Sequence, residues 1–209
     1  MFITFEGPDG SGKTTQARLL AEHLRQGDTP VVLTREPGGT PIGDQVREVL
    51  HDPNNVDMTA EAEFLLYSAS RAQLVHQVIF PALVAGKWII SDRYFDSSLA
   101  YQGYARGLDV GTLWEITRFA TGGLMPDLTL YLDIQPNEGL ERRLLGGGEW
   151  NRLDQEALAF HNRVRAGYLE LAGREPHRWV IVPAARPVDA LQTEIRALVR
   201  DRLGIPARA

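Results

Sequence analysis

The chain has 209 residues, no cysteine and a formal net charge of −5, with 44% hydrophobic and 23% charged residues. That length holds a single domain with a substantial core, and the mixture is that of a globular protein rather than a disordered or repetitive one. The lack of cysteine excludes a disulfide framework, a thiolate zinc site and a cysteine nucleophile, and the mild acidity argues against a general nucleic-acid coat.

Residues 1–6 carry no basic leader, and no stretch approaches the roughly 20 apolar residues that span a bilayer. The expectation is a cytoplasmic protein without membrane or nucleic-acid partners, with a ragged tail around Pro206. Short apolar runs at Phe2–Phe5, Val31–Thr34, Trp88–Ser91, Leu128–Leu132 and Trp179–Val182 read as strands buried on both faces. Helical stretches fall at Lys13–Arg25, Pro41–Leu50, Ala60–Ala85, Phe95–Tyr104, Val110–Thr121, Pro136–Leu145, Leu153–Ala172 and Pro187–Arg202, many bounded by Gly or Pro. The alternation predicts an α/β fold: a five-stranded parallel sheet between helices, in three layers, with right-handed crossovers. Ligands of such sheets sit beyond the carboxyl ends of the strands.

After the first strand, Gly7-Pro8-Asp9-Gly10-Ser11-Gly12-Lys13-Thr14 fits G-x-x-x-x-G-K-[ST] and opens a helix. Gly7, Gly10 and Gly12 let backbone N–H groups around Ser11 face inward as an anion nest at a helix N-terminus. Lys13 reaches the β- and γ-phosphates of ATP and the Thr14 hydroxyl ligates Mg²⁺, with Thr15 next on the helix. Asp9 would repel phosphate, so it must turn outward. It is either a solvated loop acid or an acceptor for a sugar hydroxyl on a second substrate.

Arg35-Glu36-Pro37-Gly38-Gly39-Thr40 follows the second strand, with Arg47 about two turns into the next helix. It is a common connector or a seat for a phosphomonoester. Tyr67 and Arg71, four apart, share a helix face. They are a surface pair, or a ring that stacks a base beside a guanidinium that reads its edge. Asp92 ends the third strand where a carboxylate holds Mg²⁺, and Arg93 beside it suits a second phosphate; the alternative is a surface ion pair. Gly146-Gly147-Gly148, flanked by Arg142, Arg143 and Arg152, cannot hold a helix. It forms a plain loop, or a lid at about 142–153 that closes over phosphates.

Five strings carry a resemblance to bacterial-type thymidylate kinases: residues 5–15 around the phosphate loop, residues 34–40, Leu65-Leu66-Tyr67-Ser68-Ala69-Ser70-Arg71, Asp92-Arg93-Tyr94-Phe95-Asp96-Ser97-Ser98-Leu99-Ala100-Tyr101-Gln102-Gly103, and residues 126–133. The resemblance spans Phe2 to about Val199 and implies one P-loop kinase domain over residues 1–209, homodimeric through helix-to-helix contacts. It implies transfer of the γ-phosphoryl group of ATP to dTMP, with Mg²⁺. By it, Asp9 accepts the deoxyribose 3′-hydroxyl, and Arg35, Arg47 and Arg93 surround the dTMP phosphate. Tyr67 stacks on thymine, Arg71 donates to its O4, Ser98 and Gln102 contact the base, and Tyr101 crowds the 2′ position. A donor-only guanidinium suits the thymine carbonyl and clashes with the cytosine amino group. No arginine stands within positions 8–11, so a lid arginine is expected to complete the catalytic set, Arg152 first and Arg143 next. After the last strand, Val182-Pro183-Ala184-Ala185 lacks the acid expected there. The rival readings are another (deoxy)nucleoside monophosphate kinase and a non-enzymatic P-loop switch. The second phosphate pocket, built from Arg35, Arg47 and Arg93, argues against a switch.

Overall fold

The computed structural model describes residues 1–146 and 151–204. Among them, strands β1 (Phe2–Glu6), β2 (Val31–Arg35), β3 (Trp88–Asp92), β4 (Leu128–Asp133) and β5 (Trp179–Pro183) form one five-stranded sheet. All pairings are parallel, in the order β2-β3-β1-β4-β5. Each strand runs one residue past the apolar run that marks it. The helices are α1 (Lys13–Gln26), α2 (Pro41–His51), α3 (Ala60–Leu74), α4 (Phe80–Val84), α5 (Phe95–Ser98), α6 (Val110–Thr121), α7 (Pro136–Leu145), α8 (Leu158–Arg174) and α9 (Val188–Leu203).

Strand alternation sorts the core into two. Ile3 and Phe5 of β1, Ile90 of β3 and Leu128, Leu130 and Leu132 of β4 pack against α1 and α9. Phe2, Ile89, Tyr131 and Trp179 face the opposite way, under Phe64 and Leu74 of α3, Leu113 of α6 and Val164 and Tyr168 of α8. This gives the expected three layers. The second face also carries polar side chains at the sheet's centre: Thr4, Glu6, Ser91 and Thr129, all buried.

Three helical expectations change in detail. The Ala60–Ala85 stretch stays helical, but it widens into a π-turn at Val75–Ile79 before α4. Pro81 has no N–H to donate, which disrupts the α ladder there. Phe95–Tyr104 begins as α5 and continues as wide π-turns over Leu99–Ala105. The stretch expected over Leu153–Ala172 is broken: a 3₁₀ turn at Leu153–Gln155 gives way to extended backbone at Glu156 and Ala157 before α8 starts. Arg143 and Asn151 bind Asp154 here, and these local bonds replace a helical ladder. Gly147, Gly148 and the tail around Pro206 lie outside the described residues.

Beneath the sheet's second face, Arg178 grips Asp96 with both terminal nitrogens at 2.8 Å and donates to Thr129 Oγ1 at 2.8 Å. Both partners are buried. Removing one side of such a pair strands a charge in the core. Asp96→Ala should therefore cost about 3–5 kcal/mol of stability, read as a lower urea midpoint. A midpoint equal to the wild type's would show that the pair does not hold this layer.

Candidate active site

A cavity of about 620 Å³ opens at the carboxyl edge of the sheet. The turns after β1, β2 and β3 supply one side, and α2, α3 and the wide turns after α5 supply the other. Asp9, Gly10, Gly12, Lys13, Thr14, Thr15, Arg35, Arg47, Tyr67, Asp92, Arg93, Ser98, Tyr101, Gln102 and Arg143 all line it. Most of the expected site residues, spread over 135 positions from Asp9 to Arg143, thus meet around one space.

The phosphate loop has the backbone its glycines permit. Gly7, Gly10 and Gly12 take φ values of +144°, +76° and +91°. A Cβ on Gly10 would lie 1.9 Å from the Gly139 carbonyl oxygen, so α7 presses directly on the loop. Lys13 Nζ donates to the Pro8 carbonyl at 2.7 Å and to Ser11 Oγ at 3.4 Å. Burial, reinforced by Arg93, lowers Lys13 to about 8. The Thr14 hydroxyl bonds Asp92 Oδ2, so one hydroxyl and one carboxylate oxygen converge at the loop's edge. Among the described residues no trio of His, Cys, Asp or Glu is placed to hold a metal. One acid and one hydroxyl, completed by phosphates and water, is the donor set that suits Mg²⁺ rather than a transition metal.

Arg93 forms no surface ion pair with Asp92, the alternative reading, and is directed inward. Its Nη2 donates to Asp9 Oδ1 at 2.8 Å and to the Tyr101 hydroxyl at 3.3 Å. Its Nη1 donates to the Gly7 carbonyl at 3.0 Å, Ser97 Oγ at 3.1 Å and the Tyr168 hydroxyl at 3.2 Å. Asp9 also accepts from the Tyr101 hydroxyl at 2.9 Å, so it is not a solvated acid. Burial would raise its carboxyl, but Arg93, Lys13 and Tyr101 outweigh that and hold it well below the usual carboxylate range.

Arg35 is more exposed and reaches Asp44 at 3.4 Å, while Arg47 donates to the Pro37 carbonyl at 3.1 Å. Tyr67 shows its ring to the cavity, but Arg71 lies behind the wall, 1% exposed. It is no surface pair. Arg71 Nε donates to Glu36 Oε2 at 2.7 Å and Nη2 to Ser98 Oγ at 3.0 Å, while Nη1 and Glu36 Oε1 have no protein partner. A buried guanidinium with an unanswered N–H calls for an acceptor. Gln102 Nε2 donates to Glu63 Oε1 at 2.6 Å.

Of the arginines flanking the glycine run, Arg142 and Arg143 line the cavity and Arg152 does not. Arg143 lines the cavity, with Nε 2.5 Å from Asp154 Oδ1. Arg152 is buried, paired through Nη2 with Glu63 and donating from Nε to the Leu50 carbonyl at 3.4 Å. The reason is Glu63: fully buried, it draws Arg152 and Arg106 into the wall.

Glu6, Ser97, Tyr168, Glu36, Glu63 and His51 were not singled out by their sequence context, although Glu6, Glu36 and Ser97 lie in or beside the strings that carry the resemblance. His51 lines the cavity, and burial next to Arg47 lowers it to about 4, leaving it neutral. Its place at the end of α2, one turn beyond Arg47, is the only signal that could have found it.

A profile of the thymidylate kinase family matches residues 5–195. A thymidylate kinase of Deinococcus radiodurans is 53% identical over 97% of this chain and 97% of that protein. One from Roseiflexus sp. (strain RS-1) is 50% identical over 97% of this chain and 95% of the other. The crystal structure of thymidylate kinase from Ehrlichia chaffeensis superposes with a TM-score of 0.79 at 34% identity, covering 96% of this chain and 98% of that one. If the phosphate loop works as its geometry suggests, Lys13→Ala should lower ATP-dependent turnover ~100-fold or more. Turnover equal to the wild type's would remove Lys13 from the site.

Proposed function

Because the chain belongs to the thymidylate kinase family, we propose that this cavity seats dTMP against the γ-phosphate of ATP, with the residues described above dividing the two substrates between them. The reaction is transfer of the γ-phosphoryl group of ATP to dTMP, giving dTDP and ADP. One observation carries the residue assignment: Arg93 bridges the Gly7 carbonyl and Asp9 of the phosphate loop from the end of β3, so the donor loop and the acceptor arginines share one wall.

On the donor side, backbone N–H groups of residues 7–13 and Lys13 hold the triphosphate. Thr14 and Asp92 hold Mg²⁺, which when bound neutralises charge shared by the β- and γ-phosphates. On the acceptor side, Arg35, Arg47 and Arg93 take the dTMP phosphate. Asp9, held ionised, accepts the 3′-hydroxyl. Tyr67 stacks on thymine, and the unanswered Arg71 Nη1 donates to O4. Ser98 and Gln102 flank the base, and Tyr101 occupies the 2′ side.

The attacking atom is a phosphate oxygen, already a nucleophile at neutral pH, so no strong general base is needed. What the protein must supply is alignment and neutralisation of two anions that repel each other. Lys13 and Arg93 lie between them, and Arg143 adds charge from the lid side of the cavity. Arg152 joins the set when its pair with Glu63 opens.

The enzyme is a homodimer acting in the cytoplasm. The described residues include no helix long and apolar enough to cross a membrane. Support for the dimer comes from Phe119, 91% exposed, and Phe80, 58% exposed, which line one groove between α4 and α6. Apolar rings this exposed on a helical face mark a docking surface, and a second copy of the chain is the occupant the family resemblance implies. Phe119→Glu should convert the dimer to a 23.3 kDa monomer in light scattering. A wild type that already scatters as a monomer would end the dimer reading.

ADP release with ATP and Mg²⁺ against a panel of nucleoside monophosphates tests the substrate assignment. dTMP should stimulate it, and dCMP should be disfavoured by ~100-fold or more, because the cytosine amino group meets Arg71 donor to donor. Arg71→Met should narrow that gap. Equal rates with dTMP and dCMP in the wild type would refute the base-reading roles.

A further inference from the structure

Glu6, the last residue of β1, is fully buried one position before the phosphate loop, and the reaction as described makes no use of it. Its carboxylate answers three donors. Oε1 accepts the Tyr94 N–H at 2.7 Å, while Oε2 accepts the Ser97 hydroxyl at 2.6 Å and the Tyr168 hydroxyl at 2.9 Å. The same two hydroxyls accept from Arg93 Nη1. Ser97 Oγ and the Tyr168 oxygen lie 2.8 Å apart.

We propose that Glu6 is a positioning residue for dTMP binding, acting on the acceptor phosphate by aiming Arg93 through the hydroxyls of Ser97 and Tyr168.

The direction of the protons carries the inference. Each hydroxyl has one proton to give. Whether both go straight to Oε2 or one passes through the other hydroxyl, the protons run toward the carboxylate and lone pairs are left facing Arg93. An ionised Glu6 thus makes two ambivalent hydroxyls into fixed acceptors. Burial, with Asp96 nearby, pushes Glu6 up to about 7, so at pH 8 it is the carboxylate that does this.

The backbone is held by the same residue. Arg93 has φ +74°, a left-handed conformation that is unfavourable for a non-glycine residue. The Tyr94 N–H that follows is bound by Glu6 Oε1, and the Arg93 N–H donates to the Phe5 carbonyl at 2.9 Å. β1 therefore holds both the turn that presents Arg93 and the groups that aim its guanidinium. Tyr168 is itself fixed, its ring stacked on Tyr131 at 5.0 Å between centroids.

Glu6→Gln keeps the shape and turns one acceptor oxygen into a donor NH₂. The amide oxygen must take the place facing the Tyr94 N–H, so the NH₂ faces the hydroxyls and turns their protons toward Arg93. This inference rests on the acceptor-site reading above, and calorimetric titration at pH 8 with dTMP and with thymidine separates the two. Glu6→Gln should weaken dTMP binding about tenfold or more, while thymidine, which has no phosphate for Arg93 and meets it only through Asp9 and Tyr101, should lose far less. Tyr168→Phe, which keeps the ring stack, should weaken dTMP in the same direction by less. In turnover, KM for dTMP should rise while KM for ATP stays. In an Arg93→Met background, Glu6→Gln should cause no further loss, since its effect passes through Arg93. Equal losses for dTMP and thymidine, or a full additional loss without Arg93, would show a merely structural role and overturn the proposal. A wild type that binds thymidine and dTMP equally would overturn the phosphate assignment of Arg93 itself.

Discussion

The guanidinium of Arg93 and the carboxylate of Asp9, 2.8 Å apart, join the end of β3 to the turn after β1. Every other feature of the site is arranged around that contact. β1 and β3 are neighbours in the sheet, paired in parallel from Phe2↔Ile89 to Phe5↔Asp92. Their carboxyl ends therefore emerge together, one into an anion nest and the other into a cation. Sheet register alone brings the phosphate loop and Arg93 to one side of the cavity. Orientation bought this way is set before either substrate binds, which is where much of the advantage of an enclosed phosphoryl transfer lies.

Concentrating cations in a cavity of about 620 Å³ would be destabilising unless their charge were answered from behind. The chain answers it with carboxylates beside the lining arginines, Asp9 on Arg93 and Asp154 on Arg143, and further pairs stand behind the lining, Glu36 with Arg71 and Glu63 with Arg152 and Arg106. The net charge of −5 is thus no measure of the site. Lys13 and Lys87 are the only lysines, and arginine makes up the rest of the 22 basic residues. Arginine suits this role, since one fork can hold a buried carboxylate and still offer an N–H to the ligand. Arg71 holds Glu36 through Nε and keeps a buried Nη1 without a protein partner.

The phosphate loop, the strand ends and the sheet's parallel sense were legible in the sequence because each is local. Glycines, a lysine and a hydroxyl must be contiguous to wrap a phosphate, and short apolar runs between helices fix the sheet class. The pairs that build the wall were not legible. Arg71 and Glu36 are 35 residues apart, and Arg152 and Glu63 are 89 apart. No spacing rule links such residues, so nothing in the sequence marked Arg152, beside the glycine-rich segment, as the partner of a buried acid of α3. The break before α8 escaped notice for a related reason. Leu153, Phe160 and Val164 keep an apolar rhythm across it, and periodicity cannot see that side chain-to-backbone bonds around Asp154 have displaced the helical ladder.

The wide turns over Leu99–Ala105 set a limit on the length of the chain itself. A π-turn holds one residue more than an α-turn over the same path. Deleting a single residue there removes the one the wide turns accommodate, so the side chains within the stretch shift round the axis while the chain on either side keeps its path. Tyr101 and Gln102 would then leave their places in the cavity wall without any change in their identity. Substitutions in this stretch act one side chain at a time, whereas a one-residue deletion rewrites the whole acceptor face. Across related chains, residues 95–105 should therefore stay constant in number.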